Sequence, residues 1–308
     1  MSNRIFYESI VYMSLAPIAI FVYNRPEHTK KTLEALRKNF LAKESDLFIF
    51  SDGPKEEDSR LKIKEVREYI KTIKGFKNIV ITEKENNVGL AQSIISGVTE
   101  VVNKFGKIIV VEDDLVTSAH FLEYMNEALN LYQNEEKVIS IHGYVYPTKE
   151  TLPETFFIGG ADCWGWATWK RGWSLFQSDG TKLLKELEQK NLIREFDFNN
   201  SYSYSKMLKR QVDGKSDSWA IRWYASAFLT NKLTLYPGKS LIDNIGQDLS
   251  GTHSGQTEVF RTKVLENKID LQKIKVEENI EAKKIIMKYL KSLKPTVTER
   301  ILRKIGYK

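Results

Sequence analysis

The chain is poor in the residues that build stapled scaffolds. One cysteine, Cys163, stands in 308 residues, so neither an intrachain disulfide nor a Cys-rich zinc site is available. A chain without disulfides fits a reducing compartment. Only four histidines occur, His28, His120, His142 and His253, and none forms an HExxH pair. No apolar run reaches the roughly 20 residues that span a bilayer. The most apolar early stretch, 10–23, contains Pro17 and has only Arg4 as a basic residue before it. That is not the layout of a signal peptide, so it reads as a buried strand behind an N-terminal extension, and the expected location is the cytoplasm. No GxxxxGK[ST] occurs, and no GxGxxG follows the first strand, which excludes a P-loop and argues against a dinucleotide cofactor. The basic excess is small, 47 Lys and Arg against 40 Asp and Glu. Part of it sits between Lys283 and Lys308, so the body is near neutral and a nucleic-acid binder is not expected.

What is present is an ordinary globular composition, 42% hydrophobic and 28% charged, in a chain long enough to bury a core unaided. Pro17–Tyr23 is an unbroken apolar run ended by Asn24-Arg25-Pro26, as expected of a strand buried on both faces. A helix is predicted from Glu27 to Asn39, a second strand from Asp46 to Ser51, an amphipathic helix from Lys55 to Lys74, and a third strand from Asn78 to Thr82. A helix from Leu90 to Lys104 leads to a fourth strand from Lys107 to Val111, and another helix covers Phe121–Gln133. Strands alternating with helices over about 130 residues predict βαβ units and a parallel sheet. Ligands of such sheets bind beyond the carboxyl ends of the strands, where Asn24-Arg25, Ser51-Asp52-Gly53 and Glu112-Asp113-Asp114 all fall.

The second half is less regular. One strand is predicted at Val138–His142 and a short one at Leu233–Tyr236. Phe156–Trp173 is rich in Gly and Trp without clean periodicity. Helices are expected over Thr181–Glu195, part of Asn199–Lys215, and Ser218–Asn231, and a Gly-rich loop over Ser240–Gly255.

The acidic triplet is the most informative feature. Alternation puts Glu112 and Asp114 on one face with Asp113 pointing elsewhere. Three adjacent carboxylates repel one another, and a hard divalent cation, Mn²⁺ or Mg²⁺, shared with substrate phosphates would relieve them. Asp52 is suited to accept from a base imide N–H, and Arg25 to pair with phosphate or stack on a base. Trp164 and Trp166, among the glycines of 159–166, offer flat faces to an acceptor sugar. His28 and His142 read as structural, and Cys163 as a small core residue.

The ordered set Asn24-Arg25-Pro26, Ser51-Asp52-Gly53, Asn87-Val88-Gly89 and Val110-Val111-Glu112-Asp113-Asp114-Leu115 resembles the nucleotide-sugar-binding half of GT-A-fold glycosyltransferases. It is most similar to the N-acetylglucosaminyltransferase I family, well over 16–135 and more weakly over 157–255. The resemblance implies a Rossmann-like α/β fold with a mostly parallel central sheet flanked by helices, and inverting transfer. It implies Arg25 on the nucleotide, Asp52 on uracil, Glu112 on the donor sugar, Asp113 on the ribose and Asp114 as direct metal ligand. Asp217, before Trp219, would be the catalytic base that takes the acceptor hydroxyl proton. Asp162 and Asp213 are the fallbacks. His253 would contact phosphate or metal from a late loop.

The expected organisation is an N-terminal extension over 1–15, a GT-A domain over 16–262 divided near 135 into donor and acceptor halves, and a basic amphipathic helical tail over 263–308. The pattern of Ile285, Ile286, Leu290, Leu293 and Ile301 among Lys and Arg suits either a helix packed on the domain or an anionic membrane surface. The reading is therefore a transferase that moves a sugar, GlcNAc by resemblance, from a UDP-sugar to a glycan or lipid-linked acceptor. Peripheral contact at the inner membrane face would suit surface polysaccharide assembly. The alternatives are a non-catalytic carbohydrate- or membrane-binding subunit on the same fold, and a sugar nucleotidyltransferase. The latter would need a Gly-rich loop where Asn24-Arg25-Pro26-Glu27 stands.

Overall fold

The run Ile-Ala-Ile-Phe-Val has no polar position at which a face could meet water, and it becomes an inner strand of the sheet. A computed structural model describes residues 14–249 and 257–294. In chain order the donor half contains β1 (Ile18–Val22), α1 (Pro26–Arg37), β2 (Asp46–Ser51), α2 (Ser59–Ile70), β3 (Asn78–Glu83), α3 (Leu90–Phe105), β4 (Lys107–Glu112), β5 (Leu115–Thr117) and α4 (Phe121–Leu131). The acceptor half contains β6 (Val138–His142), β7 (Thr155–Gly159), β8 (Trp166–Trp169), α5 (Lys170–Trp173), α6 (Gly180–Gln189), α7 (Ile193–Phe196), α8 (Tyr204–Val212), α9 (Trp219–Leu229), β9 (Leu233–Pro237) and β10 (Ile242–Asn244). Helix α10 (Ile280–Ser292) follows.

Eight strands form one sheet in the order β3-β2-β1-β4-β8-β6-β9-β7. β1 to β4 are mutually parallel, β8 runs against β4 and β6, and β7 runs against β9. With β6 and β9 parallel, six strands share one direction. The expected α/β architecture with a mostly parallel sheet is what the chain adopts.

Alternation along the inner strands feeds two cores. Ile18, Ile20 and Val22 join Leu33, Leu36, Val66 and Leu129 on the face of α1, α2 and α4. Ala19 and Phe21 join Ile94, Val98 and Trp223 on the face of α3 and α9. Every residue of β1 is thus buried, and the continuous apolar run is explained by helices on both sides. Pro26 at the first turn of α1 has the φ a helix start needs, so α1 starts directly after the strand-end residues Asn24 and Arg25.

Several expectations change in the second half. Phe156–Trp173, read as aperiodic, holds β7 and β8, and the predicted loop at 240–255 contains β10. The expected helix over 181–195 is broken by Asn191 at φ +55° into α6 and α7. The segment from 263 does not behave as a tail. Ile269 is buried, the Leu265 carbonyl accepts from Ser118 Oγ, and Ile274 N donates to Tyr132 Oη at 3.1 Å. Ala282, Ile286 and Leu290 of α10 are buried in a third core with Phe156, Phe196 and Tyr224. The apolar stripe of α10 therefore faces protein, and the boundary drawn at 262 cuts through a packed body. Among the described residues no helix is long and apolar enough to cross a membrane. The remaining basic stretch, 295–308, lies outside the described residues.

Candidate active site

The carboxyl end of β4 delivers Glu112, Asp113 and Asp114 beside the end of β1, which pairs Phe21 with Glu112. Arg25, the N-cap residue of α1, reaches back into this cluster. Its Nη2 pairs with Asp113 Oδ1, its Nε lies 3.3 Å from Asp113 Oδ2, and its Nη1 is 3.0 Å from Asp114 Oδ2. Thr32 Oγ1 donates to the Asp113 carbonyl at 2.8 Å, so α1 holds both the main chain and the side chain of the triplet.

The electrostatics are those of a crowded anionic site. Burial first, and then the Asp114 and Asp113 carboxylates, push Glu112 up to about 8 against the pull of Arg25. Burial also raises Asp113, although the Arg25 charge opposes it. Burial works against the Arg25 charge, but Asp113 and Asp114 outweigh it and keep the guanidinium firmly protonated. One cation thus serves three carboxylates.

Asp52 is almost completely buried and accepts from the Gly53, Val88 and Gly89 amides at 2.9, 3.0 and 2.9 Å, and from Asn87 Nδ2 at 3.1 Å. Its carboxylate pins the 86–89 turn to the end of β2. These four donors give Asp52 a turn-holding role within the protein itself.

A late segment closes over the triplet. β10 pairs antiparallel with β5, directly after the acidic residues. Ile245 N donates to the Asp114 carbonyl at 2.9 Å. Gly246 then lies against the Asp114 carboxylate, and a Cβ there would fall 2.7 Å from Asp114 Cγ; only glycine permits this approach. His28, read as structural, faces the same segment, with Nε2 at 3.3 Å from the Ile245 carbonyl and 3.1 Å from Asp248 Oδ2. Nothing local links positions 217 residues apart, so the sequence carried no signal for this contact. His253 lies outside the described residues.

On the acceptor side the two tryptophans separate. Trp164 is half-buried, with its ring 4.8 Å from Tyr144 and 5.7 Å from Phe260. Trp166 is fully buried and packed among Trp173, Trp219 and Trp223 at 5.5–5.7 Å. It has no face left for a sugar, which corrects the acceptor role expected for it: its partners lie on α5 and α9, which sequence spacing does not bring together. Asp217 precedes the α9 N-cap Ser218, whose hydroxyl accepts from Ile221 N. Its side chain is 67% exposed and pairs with Arg222 at 2.9 Å. Trp219 stacks on Trp166, and Trp166 pairs with Val110, two residues before Glu112. Asp217 therefore stands at the start of a helix anchored on the triplet's own strand pair. The fallback Asp213 is paired with Lys215 on the surface. The other fallback, Asp162, sits beside Cys163, whose thiol is raised by burial and then by Asp162, Glu112 and Asp114.

Among the described residues no three His, Cys, Asp or Glu side chains are arranged to hold a metal by themselves. A site of the Mg²⁺ or Mn²⁺ kind asks less of the protein, since one or two carboxylates suffice when phosphates and water complete the shell. Asp114, part-exposed at the mouth of the cluster, fits that requirement.

The family model for glycosyl transferase family 2 matches residues 18–193, more than half of the chain. A search of curated proteins finds no match. Among solved structures, S. aureus TarS (residues 1–349) is similar at 12% identity and TM-score 0.39, over 74% of this chain and 59% of that one. A longer TarS structure is similar at 13% identity and TM-score 0.39, over 76% and 37%. The mannosyltransferase PcManGT from Pyrobaculum calidifontis, solved with GDP-Man and Mn²⁺, is similar at 9% identity and TM-score 0.33, over 44% and 36%. The chain spans between about one third and three fifths of the length of these structures. The family match runs from β1 through α6 and takes in Arg25, Asp52, the acidic triplet and Trp164 on the way; the chain belongs to glycosyl transferase family 2.

Proposed function

We propose that this glycosyltransferase is a metal-dependent, inverting enzyme that transfers a sugar from a UDP-sugar to a hydroxyl of a glycan or lipid-linked acceptor. GlcNAc is the favoured donor sugar, in keeping with the resemblance to the N-acetylglucosaminyltransferase I family. The observation that carries the reading is the convergence of Arg25, Glu112, Asp113, Asp114 and the Gly246 main chain at the carboxyl end of β4. Three carboxylates sharing one guanidinium are short of positive charge. A divalent cation brought in with the diphosphate would supply it, with Asp114 as the residue that would hold it, and would stabilise charge on the leaving UDP.

The chain's own residues do the rest. Asp114 holds the cation. Arg25, already on Asp113 and Asp114, turns its remaining donor capacity to phosphate. Asp113 and Glu112 hydrogen-bond the ribose and the donor sugar. Glu112 in its protonated form donates to a sugar oxygen, and in its ionised form accepts from a sugar hydroxyl. Asp52 contacts the uracil while its carboxylate fixes the 86–89 turn. Asp217 takes the acceptor hydroxyl proton as that oxygen attacks the anomeric carbon. Arg222, paired with Asp217 at 2.9 Å, keeps it aimed until the acceptor arrives. His253 meets the diphosphate from the late loop. Membrane contact, if the acceptor is lipid-linked, falls to 295–308, since α10 spends its apolar face on the domain.

The test is thermal unfolding with a panel of nucleotides and nucleotide sugars, each with Mn²⁺ or with EDTA. A ligand bound only by the folded state raises the midpoint by mass action, about 2.7 kcal/mol at a hundredfold excess over Kd. UDP with Mn²⁺ is expected to raise it, one UDP-sugar more, and EDTA to cancel the gain. Asp114→Ala is expected to unfold normally without ligand and to lose the Mn²⁺-dependent rise. A full UDP response in that variant would remove the metal assignment. No rise with any nucleotide would favour the non-catalytic binding subunit.

A further inference from the structure

Among the described residues, His142 is a buried side chain whose two ring nitrogens are both unpaired. It is wholly buried at the end of β6, on the ligand edge of the sheet. Its ring packs edge-on against Tyr236 at 4.9 Å. A phenylalanine would serve that packing without leaving buried polar atoms unpaired. Nε2 lies 3.7 Å from Asp162 Oδ2. The other oxygen of Asp162 is occupied, accepting from the Cys163 amide at 2.8 Å. The carboxylate is thus set by the main chain on one side and faces the imidazole, beyond hydrogen-bond distance, on the other.

Asp162 keeps a quarter of its side chain exposed. The turn that carries it is held between Gly160 and Gly165, both at positive φ, +93° and +66°. The surface around it is aromatic. Trp164 adjoins Tyr144, Tyr144 adjoins Tyr146 at 5.5 Å, and the Tyr146 and Tyr204 hydroxyls meet at 3.4 Å. The Asp162 charge acts on both of those tyrosines. Through Cys163, on which Asp162, Glu112 and Asp114 all act, the same patch adjoins the acidic triplet.

A part-exposed carboxylate beside aromatic side chains is the chemistry that recognises a pyranose: the carboxylate takes hydroxyl hydrogens, and the rings cover the apolar C–H face. We propose that Asp162, with Trp164, Tyr146 and Tyr204, binds the terminal pyranose of the acceptor, and that His142, whose unpaired Nε2 lies 3.7 Å from Asp162 Oδ2, is a positioning residue that closes to a hydrogen bond with that carboxylate when the pyranose binds. The ligand class is a neutral glycoside with adjacent free hydroxyls. The assignment rests on the glycosyltransferase reading of the adjacent donor site, and its test separates the two.

The probes are the methyl β-glycosides of glucose, galactose and N-acetylglucosamine, followed by saturation-transfer NMR on the full chain, with the UDP and Mn²⁺ thermal response measured in parallel. Wild type is expected to saturate with at least one glycoside at millimolar concentration. Asp162→Asn is expected to weaken that binding at least fivefold while leaving the UDP response unchanged, and Trp164→Ala to weaken it similarly. The His142 ring ¹⁵N shifts are expected to move in Asp162→Asn and on glycoside saturation of wild type, which a purely packing imidazole would not do. Equal glycoside affinity in wild type and Asp162→Asn overturns the subsite, as does the absence of saturation by all three probes. Asp162-dependent glycoside binding without a UDP response would uphold the subsite and sink the donor assignment instead.

Discussion

At the residue scale, Glu112 shows how much charge the site carries before any ligand arrives. Its carboxyl is raised from its ordinary value to about 8, first by burial and then by Asp114 and Asp113. A carboxyl with a folded pKa above its unfolded one favours the fold in its protonated form. Its contribution is therefore complete below about pH 4.5 and is lost as pH climbs through 8. Glu112→Gln removes that loss. In EDTA the variant is expected to melt above wild type at pH 8, by at least a few degrees at roughly 2–4 °C per kcal/mol for a domain of this class. The gap should close toward pH 4.5, and an unchanged gap across that range would mean that Glu112 is ionised in the metal-free protein. The triplet itself was plain in the sequence, because three carboxylates after an apolar strand leave few readings. Its guanidinium partner was not. Arg25 was legible as a strand-end cation, but its bond to Asp113 depends on β1 and β4 being neighbours.

At the scale of elements, α10 shows where amphipathic pattern stops being informative. Its stripe of Ala282, Ile286 and Leu290 suits a membrane surface and a protein surface equally, and the fold uses it on protein. Asn279 caps it by accepting from Ala282 N, and Glu278 ties it to β7 through the Gly159 amide. Ile286→Ala is expected to cost about 2–5 kcal/mol in urea unfolding, the range for a fully buried isoleucine. Ile285→Ala, on the half-exposed flank, is expected to cost clearly less. Equal and negligible losses would mean that the helix is undocked in solution. The β5–β10 pair makes the complementary point. Each strand has three residues, too few for any periodic signal, yet this pair sets Gly246 against Asp114.

At the scale of the whole molecule, the proposed reaction needs both halves of one sheet. The proposed donor residues follow β1, β2 and β4, while Asp217, the proposed base, precedes α9, whose Trp219 stacks on Trp166 of β8. Asp217→Asn is accordingly expected to lower transfer at least a hundredfold, within the usual span of general-base contributions, with the UDP and Mn²⁺ melting response kept. Transfer at wild-type rate would move the base to another carboxylate. The sequence by itself determined the α/β class, the parallel donor half and the strand-end positions of Arg25, Asp52 and the triplet, because two-sided burial and turn chemistry are local properties that a short window displays. Tertiary structure decided what those windows do not contain. It paired Arg25 with Asp113, enclosed Trp166 among three other tryptophans, laid α10 on the third core, and set His142 against Asp162. Each of these depends on which strands lie side by side, and strand order is settled by long-range packing that no local pattern encodes.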